Sequence, residues 1–142
     1  MSFDDLPPDW PAISLTDPAH VTDVLDLFVT MQARFEGALF ILVCDEQRRP
    51  VQPIQIDGVR GGPPEDMHGV LEEMARTIAE ARPQAGVLCA VARRGATLVR
   101  PSDLAWRDCL DATFGPHLPV LGVHVITPDG SRLIHTMPRS AA

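Results

Sequence analysis

Five residues in the second half of the chain combine cationic, hydroxyl and aromatic side chains over a short span of sequence. Arg93, Arg94 and Arg100 surround a predicted loop, and Ser102 and Trp106 follow at the start of a predicted helix. Guanidinium groups hold carboxylates and phosphates through paired hydrogen bonds, and a helix N-terminus offers free backbone N–H groups to an anion. Arginine and tryptophan are also enriched at the energetically important positions of protein interfaces. The sequence therefore predicts a surface that binds a small anion or an acidic residue of a protein partner.

The composition of the chain limits the partners that such a surface can serve. The 142 residues carry a formal net charge of −7, all 12 basic residues are arginines, and lysine, asparagine and tyrosine are absent. A negative overall field argues against nonspecific binding of nucleic acids or anionic membranes, and leaves a protein partner or self-association as the expected contact. Because arginine replaces lysine throughout, a solvated arginine-rich loop is the alternative interpretation of the cluster.

Other residue types that bind metals or act as nucleophiles form no recognised motif. His117, His124 and His135 lie close in sequence, but their spacing matches no zinc pattern, so we predict no metal site. The three cysteines form no C-x-x-C pair, and we expect small core residues in a reducing, cytoplasmic environment. The glycine-rich segment 58–62 lacks the strand-to-helix context of a phosphate loop and is predicted to be a flexible connector. No cofactor is predicted.

Apolar residues at three- and four-residue steps predict three helices. The first is predicted over 18–35, with Asp17 as its N-cap and Gly37 after its end. The second begins at Pro64 and stops before Pro83, and the third covers 103–114 with Ser102 as its N-cap. The residues predicted to face the core on the second and third helices are Val70, Leu71, Met74, Ile78, Ala81, Leu104, Leu110 and Trp106.

Short apolar runs between these helices predict the strands of a mixed sheet. Two of the runs are continuous, which is typical of strands covered on both faces. The predicted order is helix, hairpin, helix, strand, helix, hairpin, and this alternation indicates an α/β domain. The predicted strands cover residues 38–44, 51–56, 86–92, 120–127 and 132–135.

The chain is predicted to contain one domain with short flanking segments. Residues 1–16 are expected to form an extended arm, 17–136 a single α/β domain, and 137–142 a frayed tail. Trp10 is expected to pin the arm to the body, with a partner contact as the alternative. No apolar run approaches the ~20 residues of a membrane-spanning helix, and the start of the chain lacks a signal pattern.

A strand, a polar loop and a helix follow one another over 87–114, and Pro101-Ser102 stands at the start of that helix. This segment resembles the RadC-like members of the JAB/MPN family, and the likeness in element order extends over about residues 36–135. The resemblance implies an α/β fold of that topology and, in the family, metallopeptidase chemistry. A zinc ion with an open position is held there by two histidines and an aspartate, and a glutamate accepts the proton of the bound water.

The positions that correspond to the family's metal ligands carry other residues in this chain. The two histidine positions fall on Ala92 and Arg94, and the aspartate position falls on Ala105, while Glu36 occupies the place of the glutamate. An arginine does not ligate a metal, and its permanent charge opposes a divalent cation. The resemblance therefore implies a domain whose metallopeptidase chemistry is lost.

These observations favour a non-catalytic binding or scaffolding module that acts through protein–protein contacts. Its expected contact residues are Arg93, Arg94, Arg100, Ser102 and Trp106. Two alternatives remain open at this point. One is a small-anion or nucleotide sensor that uses the loop from Arg93 to Arg100, and the other is a hydrolase with a metal site that the spacing does not reveal.

Overall fold

The two continuous apolar runs form the two central strands of a sheet in the computed structural model, which describes residues 8–134. Both strands are buried along their whole length, because the sheet is covered on both faces. The first two and last two strands pair as antiparallel hairpins, and the third runs parallel to the fourth, in the order β2-β1-β3-β4-β5. The strands are β1 (Ala38–Cys44), β2 (Pro50–Asp57), β3 (Gly86–Ala92), β4 (Val120–Thr127) and β5 (Gly130–Leu133).

Four α-helices lie in the part of the chain that the structure describes. They are α1 (Pro18–Phe28), α2 (Met31–Glu36), α3 (Met67–Ala81) and α4 (Pro101–Phe114). The residues of each central strand alternate between two buried clusters, one shared with α1 and α2 and the other with α3 and α4. The domain therefore has three layers with the mixed sheet in the middle, which confirms the predicted α/β class. No helix among the described residues is long and apolar enough to cross a bilayer.

The single helix predicted over 18–35 is wrong, because the chain breaks into α1 and α2 at Val29. Asp17 caps α1 as predicted, but Val29 is extended, and the Thr30 hydroxyl accepts a hydrogen bond from the Ala33 N–H at 3.1 Å. The break frees the Val29 carbonyl, which accepts hydrogen bonds from Nε and Nη2 of the buried Arg34 at 3.2 and 2.9 Å. The apolar pattern carries no signal for this buried polar contact.

The break also changes which apolar residues are buried. Met31 and Phe35, which continue the apolar stripe in the sequence, are half-exposed. On the later helices, Val70 and Leu104 are also exposed, contrary to the predicted inward faces, while Leu71, Leu110 and Trp106 are fully buried as predicted. A surface position tolerates a large apolar side chain, so the pattern over-predicts burial.

The ends of the chain are described only in part. Trp10, in a short 3-10 helix (Trp10–Ala12), packs edge-on against Phe28 with 5.6 Å between ring centroids, so this part of the arm contacts the body. The last strand among the described residues, Gly130–Leu133, begins two residues before the predicted strand 132–135. The expectations for residues 1–7 of the arm, for His135 and for the tail lie outside the described residues.

Candidate functional site

Four arginines line one cleft of about 250 Å³ at the ends of α2 and β3. We call it the arginine cleft. It brings together three of the predicted cationic residues and Ser102, and it adds Arg60, which sequence reasoning missed because segment 58–62 was interpreted as a connector. The polar side chains of the cleft are those of Glu36, Arg60, Arg93, Arg94, Arg100 and Ser102.

Gly37 fixes one wall of the arginine cleft. Its φ of 89° lies in the left-handed region, and a Cβ at this position would collide with the Val59 carbonyl oxygen. The Gly37 carbonyl accepts hydrogen bonds from the N–H groups of Gly58 and Val59 at 3.0 and 3.3 Å. These contacts hold the loop after β2 against the end of α2, which places Arg60 at the cleft.

Arg93 is a structural residue of this loop. Its Nε and Nη2 donate to the two carboxylate oxygens of Asp103 at 2.9 and 2.7 Å. Its remaining N–H groups reach the backbone carbonyls of Arg94, Ala96 and Leu98. A guanidinium has five N–H donors, and the contacts of Arg93 within the chain account for them.

Asp103 also occupies the anion position at the start of α4. Its carboxylate accepts the backbone N–H of Arg100 at 2.8 Å, and its side chain is only 1% exposed. The helix therefore begins at Pro101 with Asp103 completing its cap, and the prediction that Ser102 is the N-cap is wrong. Both anion-binding devices that the sequence suggested, the Arg93 fork and the helix N-terminus, hold this internal carboxylate.

Three arginines of the cleft keep donors for an external group. Arg94 uses its Nε to donate to the Phe35 carbonyl at 2.7 Å and lies over the Phe35 ring, 5.8 Å from its centroid. Arg100 lies against Gly95, where a Cβ would collide with the guanidinium. Arg60 is exposed. Within residues 8–134, none of these three arginines forms an ion pair with a carboxylate.

Trp106 is buried, which agrees with its predicted inward position on α4 and contradicts its prediction as a contact residue for a partner. Its side chain is fully buried in the cluster beneath α4, and its Nε1 donates to the Gly61 carbonyl at 2.7 Å. A buried indole needs such a partner for its N–H group. Trp106 therefore supports the loop that carries Arg60 and makes no direct contact with a partner.

The histidines and cysteines lie apart from the arginine cleft. Among the described residues, no three His, Cys, Asp or Glu side chains are grouped as metal ligands would be. Burial raises the pKa of the Cys44 thiol to about 12 and raises that of Cys89 further, so both stay protonated as core residues. Burial lowers the pKa of His124 to about 4, although a hydrogen bond with the Cys89 backbone opposes the shift.

Comparison with known proteins adds no identification to this geometry. No family model, no curated protein and no solved structure matches the chain. Function is therefore inferred from the residues of the sites themselves.

Proposed function

We propose that this chain is a non-catalytic, RadC-like JAB/MPN binding module that holds an acidic segment of a protein partner in the arginine cleft. The observation that carries the proposal is the grouping of Arg60, Arg94 and Arg100, which have no carboxylate partner within residues 8–134, in one cleft of a chain whose net charge is −7. In an acidic protein, a local group of free cations selects a partner of the opposite charge.

The loss of catalysis follows from the side chains at the positions that carry the family resemblance. Arg94 and Ser102 line the arginine cleft together with Glu36, so three positions of the compared motif converge there. Ala92 is buried at the end of β3, and Ala105 lies close to Gly62 of the loop after β2. Alanine and arginine side chains provide no metal ligand, and a guanidinium repels a divalent cation. The observed order of helices and hairpins is also compatible with the resemblance.

A small-anion or nucleotide sensor is less well supported by this geometry. Such a site would use the Arg93 fork and the N-terminus of α4, and Asp103 fills both. A peptide carboxylate can instead reach Arg60, Arg94 and Arg100 from the open side of the cleft, where the three side chains are exposed. A guanidinium group holds a carboxylate through two parallel hydrogen bonds, and this paired geometry fixes the orientation of the carboxylate.

The test is binding of fluorescein-labelled twelve-residue peptides, followed by fluorescence anisotropy. One peptide is rich in glutamate, one has glutamine at the same positions, and one has arginine. We expect saturable binding of the glutamate peptide alone, and a loss of about tenfold in affinity when Arg60 and Arg100 are both replaced by glutamine.

The control is Arg82→Gln, which removes one exposed arginine outside the arginine cleft. Its affinity for the glutamate peptide should equal that of the unchanged protein. A loss in Arg82→Gln as large as that in the double cleft variant would show that only net charge matters. Absence of binding by the glutamate peptide would refute the acidic-segment proposal.

A further inference from the structure

A second cavity, of about 250 Å³, lies between the start of α1 and the β4–β5 hairpin, on the other face of the sheet from α3 and α4. We call it the α1–β4 cavity. It shares no lining residue with the arginine cleft, so a ligand bound there is independent of the proposed function. Its apolar lining is formed by Leu15, Val21, Leu88, Leu121 and Leu133.

Two polar side chains of this cavity have buried atoms without hydrogen-bond partners. His124 lines the cavity and is 8% exposed, and its Nδ1 has no partner among the described residues. The hydroxyl of Ser131, on the neighbouring strand β5, is also buried and has no hydrogen-bond partner among the described residues. More than nine in ten buried polar groups in folded proteins are paired, so two unpaired groups in one cavity indicate a missing partner.

Two arginines at the same cavity also lack a counter-charge. Arg48 and Arg132 both line it, and neither forms an ion pair with a carboxylate of residues 8–134. Arg48 has a φ of 61°, and among the described residues it is the only non-glycine residue with positive φ. Its carbonyl accepts the Leu15 N–H at 2.8 Å, which fixes the turn beside the cavity.

We propose that the α1–β4 cavity binds a small amphipathic carboxylic acid. Arg48 and Arg132 supply the charge for the carboxylate, and the Ser131 hydroxyl donates a hydrogen bond to it. Ser131 completes the polar end, and the apolar chain lies against Leu88 and Leu121. An apolar cavity with a few convergent polar groups is the usual form of a small-ligand site.

The volume of the cavity sets the length of the acid. A water-sized group takes about 30 Å³ in a condensed phase, so 250 Å³ holds on the order of eight such groups. An acid of about six to ten non-hydrogen atoms therefore fits, and octanoate, with its eight carbons and two oxygens, lies at the upper end of that range. Shorter acids leave apolar surface unfilled, and much longer ones extend into solvent.

The first experiment is calorimetric titration of the full chain with octanoate, octylamine and inorganic phosphate. We expect octanoate to bind, and octylamine and phosphate to bind at least tenfold more weakly, because the first reverses the charge and the second lacks the apolar chain. In imidazole nitrogen NMR spectra, the His124 signal should move with octanoate while that of the exposed His68 stays in place. Equal binding of octylamine or of phosphate would refute a site for an amphipathic acid, and absence of octanoate binding would do so as well.

Variants then locate the binding. Arg48→Gln and Arg132→Gln should each weaken octanoate binding by about tenfold, and Arg82→Gln, which also removes one exposed arginine, should leave it unchanged. Leu133→Trp places a large side chain at the partly exposed edge of the cavity without opening the core, and it should abolish binding. Unchanged affinity in a folded Leu133→Trp protein would show that octanoate binds elsewhere and would overturn the assignment.

Discussion

The arginine cleft and the α1–β4 cavity both contain arginines, but their polar groups are satisfied to different degrees. In the cleft, Arg93 and Asp103 meet through two short hydrogen bonds, and Asp103 also closes the N-terminus of α4. In the cavity, His124 and Ser131 keep buried atoms without partners in the described chain. One arginine of the arginine cleft, which is prominent in the sequence, is therefore neutralised by an internal carboxylate. The polar atoms of the α1–β4 cavity, which the sequence does not reveal, still lack hydrogen-bond partners among the described residues.

This difference shows that the number of arginines in a short stretch of sequence does not tell how many of them are available to bind a ligand. Only three guanidiniums of the cleft remain available, because the fold supplies an internal carboxylate for the fourth. The cavity is assembled from segments that are far apart in sequence, namely residues 15–22, Arg48, Leu88 and residues 121–133. Unsatisfied groups, and not charge density, mark the places where an external partner adds most.

The largest expected effect comes from breaking the internal pair of the arginine cleft. Asp103→Asn should lower the free energy of unfolding by about 3–5 kcal/mol, because it leaves the Arg93 guanidinium largely buried without its counter-charge. The side chains of Arg93 and Asp103 are 13% and 1% exposed, so water does little to compensate. Urea unfolding followed by circular dichroism measures the change.

The matched control for this variant is Asp108→Asn on the same helix. Asp108 pairs with Arg107 at 2.9 Å, but its side chain is 69% exposed. Exposed pairs contribute about 0–1 kcal/mol, so this change should be small. Similar losses in both variants would contradict a special role for the buried pair.

The second effect is a pH dependence that originates in the α1–β4 cavity. His124 has a pKa of about 4 in the folded chain, against 6.5 for an ordinary histidine. Between these values the unfolded chain binds a proton that the folded chain rejects, so the free energy of unfolding falls as pH decreases from 6.5 to 4. The contribution of this one group reaches about 3 kcal/mol at the acid end of the window. Urea titrations at several pH values between 4 and 7 measure it.

Replacing the imidazole isolates that contribution from the carboxylates that titrate in the same range. His124→Gln keeps a polar side chain of similar reach and has no charged form, so its stability should fall less steeply below pH 6.5 than that of the unchanged chain. Identical slopes in the two proteins would show that His124 is not the group responsible.

The central strands of the fold were predictable because their signal is local. Ala38–Cys44 and Gly86–Ala92 are continuous apolar runs, and their predicted bounds agree with the structure. The break at Val29 was not predictable in the same way, because it is stabilised by Arg34, whose contacts reach across to the Thr127 carbonyl. Periodicity reports on the burial of a stretch of chain and not on long-range polar contacts.

In the arginine cleft, too, the local features were predictable from the sequence and the long-range contacts were not. The loop arginines and Ser102 are close in sequence, so their proximity was predictable. The partner of Arg93 was close as well, and an aspartate at the third position of a helix is a recognisable capping signal that Ser102 obscured. Arg60 reaches the cleft only through the contact of Gly37 with the loop after β2, and no spacing along the chain records that contact.

A smaller effect is expected where the core supports the arginine cleft. Trp106→Phe removes the hydrogen bond to the Gly61 carbonyl and leaves unfilled space beneath α4, which should lower the free energy of unfolding by about 2 kcal/mol. Affinity for the glutamate peptide should fall as well, because the loop that carries Arg60 loses its anchor. Thermal unfolding and peptide anisotropy measure the two effects. An unchanged affinity would show that the hydrogen bond between Trp106 and Gly61 is not needed for peptide binding.

The smallest effect on stability is expected at the free arginines of the cleft. Arg60 and Arg100 are exposed and have no carboxylate partner within residues 8–134, so replacing either by glutamine should change the free energy of unfolding by less than about 0.5 kcal/mol. The same variants are expected to lose peptide affinity, and this pairing of intact stability with lost binding distinguishes a contact residue from a structural one such as Arg93. A loss of stability comparable to that of Asp103→Asn would place Arg60 or Arg100 in the internal network. The cleft would then lack the free donors that make it a binding surface.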